Sequence, residues 1–535
     1  NAPDGLVMHW TRPFDVLMLA GTLPGMLVTD FQTSLFWWGV VISPVFAAVT
    51  LMFLAWGALT VLPRWGALLM AVLFLAQPGL YAVFQLGRPD HHSLLAALAA
   101  CVLALMLRWN QTPERMIYPI LAGLATALSL WVGTETLLLL LVAVTSFGVM
   151  WLFGRADAAT ALWRFAVFFA AGLVVALMIE RPPVDWFAVE LDRLSLVYIV
   201  LALAMLAAAG LVFGAARITP GSGLVVRFLT GIVAALIPAC VMGFSFPAFF
   251  EGPYGQVAPE VREVFLANVR EAEPLLTADP RTWADAMFTL GPVIFVLPFV
   301  LYRLCRGDTV ERGTYVILGL ALTFYIVGAL YQVRVLPYAE IVLVLIWTVV
   351  LVAFARFVGR LATLPGRVLI GAAGFVALLL SHIVAAIVMI PADVKANADA
   401  GVEECDWRSA GRFLRDADID GTVLTYIYPG PEIALRTGYG VVAAPYHRME
   451  HGIVDAHRAF LAEPLMAKDM LAARDVGLVI LCTAQEGKGG HDWYVREGGT
   501  ESLYGRLAAG DPPSWAVRLG TDDSRLDGFL VYRVP

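Results

Sequence analysis

Charge is scarce in this chain of 535 residues: Asp, Glu, Lys and Arg make up 15% of it, where soluble domains average about 25%. With 60% hydrophobic residues and a mean hydropathy of +0.77, that scarcity excludes an ordinary soluble enzyme and a disordered chain. Five cysteines are too few for a disulfide-stapled secreted module. Lysine is nearly absent, almost all of the 36 basic residues being Arg. They form no basic cluster, so nucleic acid is not an expected partner. Walker and Rossmann loops, CxxC pairs and zincin motifs are also missing. The opening Asn1-Ala2-Pro3-Asp4 carries neither Met nor a charged-then-apolar leader, so a longer parent protein is expected.

What the chain does have is long apolar runs. A membrane helix needs roughly 20 apolar residues. Twelve spans are predicted, at 35–62, 65–85, 93–108, 116–133, 136–153, 162–179, 194–213, 223–243, 286–303, 314–331, 338–357 and 367–390. The third is short enough to tilt or break. Residues 1–34 read as part of an outer loop, with a further helix expected upstream. Residues 35–390 read as the membrane domain. Beyond 391, charge, Gly and Pro return and apolar runs shrink to strand length, so 391–535 reads as an extracytoplasmic α/β domain.

Orientation follows from Arg placement. One set of loops carries Arg64, Arg108, Arg115, Arg155, Arg164, Arg217, Arg227, Arg303, Arg306, Arg312, Arg356, Arg360 and Arg367. The other set carries Asp90, Glu135, Asp185, Glu190, Asp192, Glu251, Glu260, Glu263, Glu271 and Glu273. The basic set is cytoplasmic. That puts the C-terminal domain on the outer face, read here as the periplasmic face of a bacterial inner membrane.

Polar residues gather at the outer helix ends. The densest group is Gly87-Arg88-Pro89-Asp90-His91-His92-Ser93. Asp90 and His92 offer oxygen and nitrogen donors suited to a divalent cation; the competing reading makes Asp90 a helix cap. Glu135, in Gly133-Thr134-Glu135-Thr136, sits at another outer turn, where it too fits a cap. The outer loop 244–285 is long enough to be a lid or binding element. Arg334 stands alone in a short outer turn of a mainly acidic face. Such an Arg suits a phosphate, or an ion pair with a loop carboxylate. In the C-terminal domain, 421–428, 476–481 and 528–532 read as strands, and 406–416 and 462–474 as helices. Cys405 and Cys482 both lie on the oxidising side, where pairing is possible.

Many helices, acidic outer loops, an Asp-bearing outer turn and an outer α/β domain together resemble the GT-C membrane glycosyltransferases, above all the oligosaccharyltransferase catalytic subunit. That family has thirteen membrane helices, one more than the twelve counted. Its late-loop Ser-Val-Ser-Glu motif is matched by Asn268-Val269-Arg270-Glu271 followed by Pro274. Its earlier acidic motif is matched by Asp90-His91-His92. The resemblance implies catalytic roles for Asp90 and Glu271, and a Mg2+ or Mn2+ ion held by Asp90, His92 and Glu271. It implies donor-phosphate contacts from Arg334 and His91, with Glu135 and Arg88 supporting them. The family's first catalytic Asp belongs to the first outer loop and has no assigned match. Its sequon-binding Trp-Trp-Asp-Tyr-Gly is replaced by Tyr426-Ile427-Tyr428-Pro429-Gly430, so protein N-glycosylation is not implied.

The function this implies is transfer of a sugar or oligosaccharide from a polyprenyl phosphate or diphosphate carrier. The acceptor is a glycan, a lipid or a protein, and the carrier tail lies among membrane lipid. The alternatives are a non-catalytic polysaccharide-assembly partner and a lipid-linked-sugar transporter. A transporter predicts charges near the bilayer midplane, whereas here they gather at helix ends.

Overall fold

The computed structural model describes residues 1–6, 8–390, 405–417, 419–484 and 490–534. The boundary expected at residue 391 therefore borders residues outside the described ones. Two compact units emerge. One comprises Trp10–Gln256 and Pro274–Ala392; the other comprises Asn1–His9, Val257–Glu273 and the described residues of Asp393–Pro535.

The first unit opens with α1 (Arg12–Thr22), α2 (Phe31–Ala58), α3 (Arg64–Leu75), α4 (Pro78–Phe84), α5 (His91–Gln111), α6 (Ile117–Val132), α7 (Leu137–Leu152), α8 (Ala156–Glu180), α9 (Leu196–Ile218) and α10 (Leu224–Ser245). After α11 (Pro259–Val264), which belongs to the second unit, come α12 (Pro280–Leu290), α13 (Val293–Arg306), α14 (Thr309–Tyr331), α15 (Leu336–Gly359) and α16 (Leu364–Met389). Among the described residues nine helices are long and apolar enough to span a membrane, and two bent pairs raise that to eleven. The chain is a multi-pass membrane protein. Each of the twelve predicted spans falls on one of these helices, on a bent pair, or on the shorter α6.

Side-chain caps set several helix starts. Asp30 accepts from Thr33 N–H at 3.0 Å, and Asp308 from the N–H groups of Val310 and Glu311, each at 2.9 Å. These satisfy donors that the first turn leaves open. Small residues set the crossings, since helices in lipid associate by close approach rather than by apolar burial. A Cβ on Gly57 of α2 would stand 2.8 Å from Ala104 Cα of α5, and one on Gly123 of α6 would stand 2.4 Å from Phe165 O of α8. The alanine-rich α5 is the most enclosed span and α10 the least, with 78% and 6% of their central stretches buried. So α5 forms the middle of the bundle, and its N-terminus carries Asp90, His91 and His92.

Several expectations need correction. The stretch 1–34 is not a single loop: α1 forms after Thr11, with Pro13 inside its first turn, where a missing N–H costs nothing. The span at 65–85 is two helices, α3 and α4, bent by 77°, and the span at 286–303 is α12 plus α13, bent by 47°. The third span is neither short nor broken, running through 21 residues. Loop 244–285 divides between the units, because Val261 and Phe265 bury themselves in the core of the second one.

That second unit is built on a four-stranded sheet in the order β1 (Thr422–Leu424), β2 (Val476–Cys482), β4 (Phe529–Arg533), β3 (Val517–Leu519). β1 and β2 run parallel; β4 is antiparallel to both β2 and β3. The strand expected over 421–428 ends at Leu424, and Gly430–Thr437 is already helical after Pro429. Cys405 and Cys482 are joined in a disulfide with Cα atoms 6.1 Å apart. Asn1–His9 docks here too, with the Ala2 N–H donating to Val441 O and Asp4 pairing with Arg474.

Candidate active site

The turn from Gly87 to Ser93 is fixed before any ligand is considered. Gly87 sits at φ +78°, a region that favours glycine, and its N–H donates to Val40 O of α2. Ser43 of α2 donates to Arg88 O, and Ser93 to Asp90 O at 2.7 Å. The helix-cap reading of Asp90 is present in the structure. Its Oδ1 caps α5 by accepting the His92 N–H at 3.1 Å. The same oxygen lies 2.8 Å from His92 Nδ1 and 3.0 Å from His91 Nδ1. Oδ2 accepts from Arg88 Nε and Nη2 at 3.2 and 3.1 Å. Burial alone would raise the Asp90 carboxyl, but hydrogen bonds from the two imidazoles outweigh it and hold the group well below the usual carboxylate range.

His92 faces away from Asp90 with its other nitrogen. Nε2 lies 3.3 Å from Glu135 Oε1, near enough for charge attraction though not aligned as a hydrogen bond. Glu135 occupies the turn Thr134–Thr136 and has only 14% of its side chain exposed. Its described partners are side chains: His92, the Tyr338 hydroxyl, which donates at 3.0 Å, and Arg334 Nη1 at 3.9 Å. The dipole alternative is met as well, since Glu135 lies in the turn that leads directly into α7. Arg334, in the turn Val333–Val335, also donates to the Tyr254 hydroxyl at 3.1 Å and lies over that ring.

Arg88, Asp90, His91, His92, Glu135 and Arg334 thus form one continuous network at one end of the bundle. Glu271 belongs to the other unit, in the turn Arg270–Ala272. Tyr338 and Tyr254 are members that sequence reading passed over. Tyr338 stands four residues after Arg334, one helical turn, which is the signal that was available. A second acidic pair was also passed over. Glu180, buried at the end of α8, accepts from Trp131 Nε1 at 2.8 Å and the Arg12 N–H at 3.2 Å. Burial and then the Glu180 charge raise the carboxyl of Asp15 on α1. Trp10, which leads into α1, brings its ring within 6.5 Å of His91.

One oxygen and two nitrogen ligand atoms, from Asp90, His91 and His92, lie within 4.8 Å of one another. That set fits a borderline divalent cation such as Mn2+ or Zn2+.

Similarity searches against protein-family models and curated sequences find no match. Solved structures do match. The oligosaccharyltransferase AglB of Archaeoglobus fulgidus, in complex with an inhibitory peptide and a dolichol-phosphate, superposes with a TM-score of 0.66 at 14% identity, over 88% of this chain and 61% of that one. The apo form gives 0.67 at 15%, over 91% and 63%. A third structure of that enzyme, complexed with Zn and sulfate, gives 0.62 at 14%, over 89% and 60%. The fold is that of the GT-C glycosyltransferases of oligosaccharyltransferase type. The chain spans less than two thirds of the length of these GT-C neighbours.

Proposed function

We propose that this chain is a membrane glycosyltransferase that moves a sugar or oligosaccharide from a polyprenyl phosphate or diphosphate carrier to an acceptor at the outer membrane face. The observation that carries this reading is the convergence of residues 88–92, 135, 334 and 338 on one network, in a fold shared with a lipid-linked oligosaccharide transferase.

The reaction breaks the bond between the sugar anomeric carbon and a phosphate oxygen. A new bond joins that carbon to the acceptor, and the acceptor proton leaves to a carboxylate. Asp90, His91 and His92 would hold a divalent cation, which when bound would supply charge stabilisation for the departing phosphate. Arg334 supplies further positive charge there, oriented by Tyr254 and Glu135. Arg88 keeps the Asp90 carboxylate turned toward the imidazoles. Glu135 holds the far side of His92 and is itself held by Tyr338. Glu271 enters by resemblance, as the late-loop carboxylate.

An Asn sequon is not the acceptor this reading implies, because the segment standing where the family carries its sequon-binding motif is engaged within its own unit. Tyr426 and Ile427 are buried, Tyr426 donates to Cys482 O, and the Tyr428 hydroxyl donates to Asn268 O.

The test is incubation of the full chain in lipid nanodiscs with radiolabelled polyprenyl-phosphate and polyprenyl-diphosphate sugars. Release of the bare carrier that requires Mn2+ or Mg2+ and stops with EDTA supports the reading. A chain that binds no carrier and releases nothing sinks it.

A further inference from the structure

We propose that Glu340 of α15 is a positioning residue: through α4 it holds the Gly87–Asp90 turn in register with the candidate site. The inference rests on reading that turn as part of the active centre.

Glu340 is fully buried, and an ionisable side chain inside a membrane span is costly. Among the described residues its carboxylate meets two backbone donors: Gly79 N–H at 3.2 Å on Oε1 and Leu80 N–H at 2.8 Å on Oε2. These are first-turn donors of α4, and the preceding Gln77 supplies no side-chain cap. Glu340 therefore does the capping from a distant helix. Gly79 makes the approach possible, because a Cβ there would stand 2.6 Å from Glu340 Oε2.

The other end of α4 is tied just as directly. Arg88 Nη1 donates to Ala82 O at 3.0 Å, while the same guanidinium grips Asp90. α4 is thus a seven-residue strut held by a carboxyl on its first-turn N–H groups and by a guanidinium on the Ala82 carbonyl near its other end. A helix that short does not hold itself together, and here it follows a 77° bend from α3. Two residues before Glu340, Tyr338 donates to Glu135. So the first turns of α15 brace both flanks of the His92–Asp90 pair: Tyr338 through Glu135, and Glu340 through α4 and Arg88. Glutamine at 340 would keep the shape but offer one acceptor oxygen to two donors.

The test uses the purified full chain in detergent, with Mn2+ alone as the probe, followed by electron paramagnetic resonance, and with amide hydrogen exchange. Glu340→Gln and Gly79→Ala should each weaken Mn2+ binding about tenfold, as second-sphere changes at metal sites do. Each should speed exchange across 77–90 and leave α5 to α8 unchanged. Because they break one contact, the double variant should lose little more than either single one. A purely structural residue would lower the folded fraction while the folded protein kept wild-type Mn2+ affinity. Wild-type affinity and wild-type exchange in Glu340→Gln overturn the proposal. Asp90→Asn separates the two ideas: if it keeps Mn2+ binding, the metal reading fails, and exchange over 85–90 alone decides for or against Glu340. If Glu340→Gln fails to fold, Gly79→Ala carries the test.

Discussion

Asp90 does three things with one side chain: it caps α5, lies against two imidazoles and accepts the Arg88 fork. A carboxyl held below its ordinary pKa has a definite pH consequence. In the unfolded chain it takes up a proton near ~3.9, while in the fold it stays ionised. Between pH 5 and 3 the unfolded state therefore binds more protons, and stability falls as pH falls. The account predicts that the melting temperature drops less steeply over that range in Asp90→Asn than in wild type. Equal slopes would show that the carboxyl is not depressed. Tyr338→Phe tests the far side of the network. A hydrogen bond to a charged group contributes about 1.5–3 kcal/mol to stability, so Tyr338→Phe should lower the melting temperature with folding retained, and unchanged melting would contradict the contact. Asp90 and His92 stand out in the sequence because a carboxylate and two imidazoles adjoin in one short turn. Tyr338 offers only its spacing of one helical turn from Arg334, since its partner Glu135 lies 203 residues away.

Among the elements, the apolar spans were legible because a bilayer demands length and composition, and both are written locally. The bends were only partly legible. Pro78-Gly79 and Gly291-Pro292 mark where the two breaks fall, but their angles of 77° and 47° depend on tertiary packing. Loop 244–285 reads as a lid or binding element because of its length, and its Val261 and Phe265 are buried in the core beside the sheet. Phe265→Ala should cost about 3–5 kcal/mol of that unit's stability, measurable as a lower melting temperature, whereas a freely moving lid would show no change. The Cys405–Cys482 bridge closes a separation of 77 residues. Loop-closure entropy puts its contribution at about 4 kcal/mol. Replacing both cysteines with Ala should lower the melting temperature to that of the reduced wild type; identical melting with and without reductant in wild type would contradict the pairing.

At the scale of the whole molecule, the proposed orientation rests on the alternation of Arg-rich and acid-rich loops along the sequence. Impermeant maleimide on intact cells should label cysteines introduced at 408–416 and spare those near Arg306 and Arg360. The reverse pattern would invert the topology. The central claim, that the Asp90 network transfers a sugar from a phosphate-linked lipid carrier, is tested most directly by one comparison. Carrier release from a polyprenyl-linked sugar is measured for wild type and Asp90→Asn, each reconstituted in nanodiscs with Mn2+. The account predicts Mn2+-dependent release by wild type and a loss of at least about a hundredfold in Asp90→Asn, the scale of removing a key electrostatic group. Equal rates in a folded Asp90→Asn protein would contradict it.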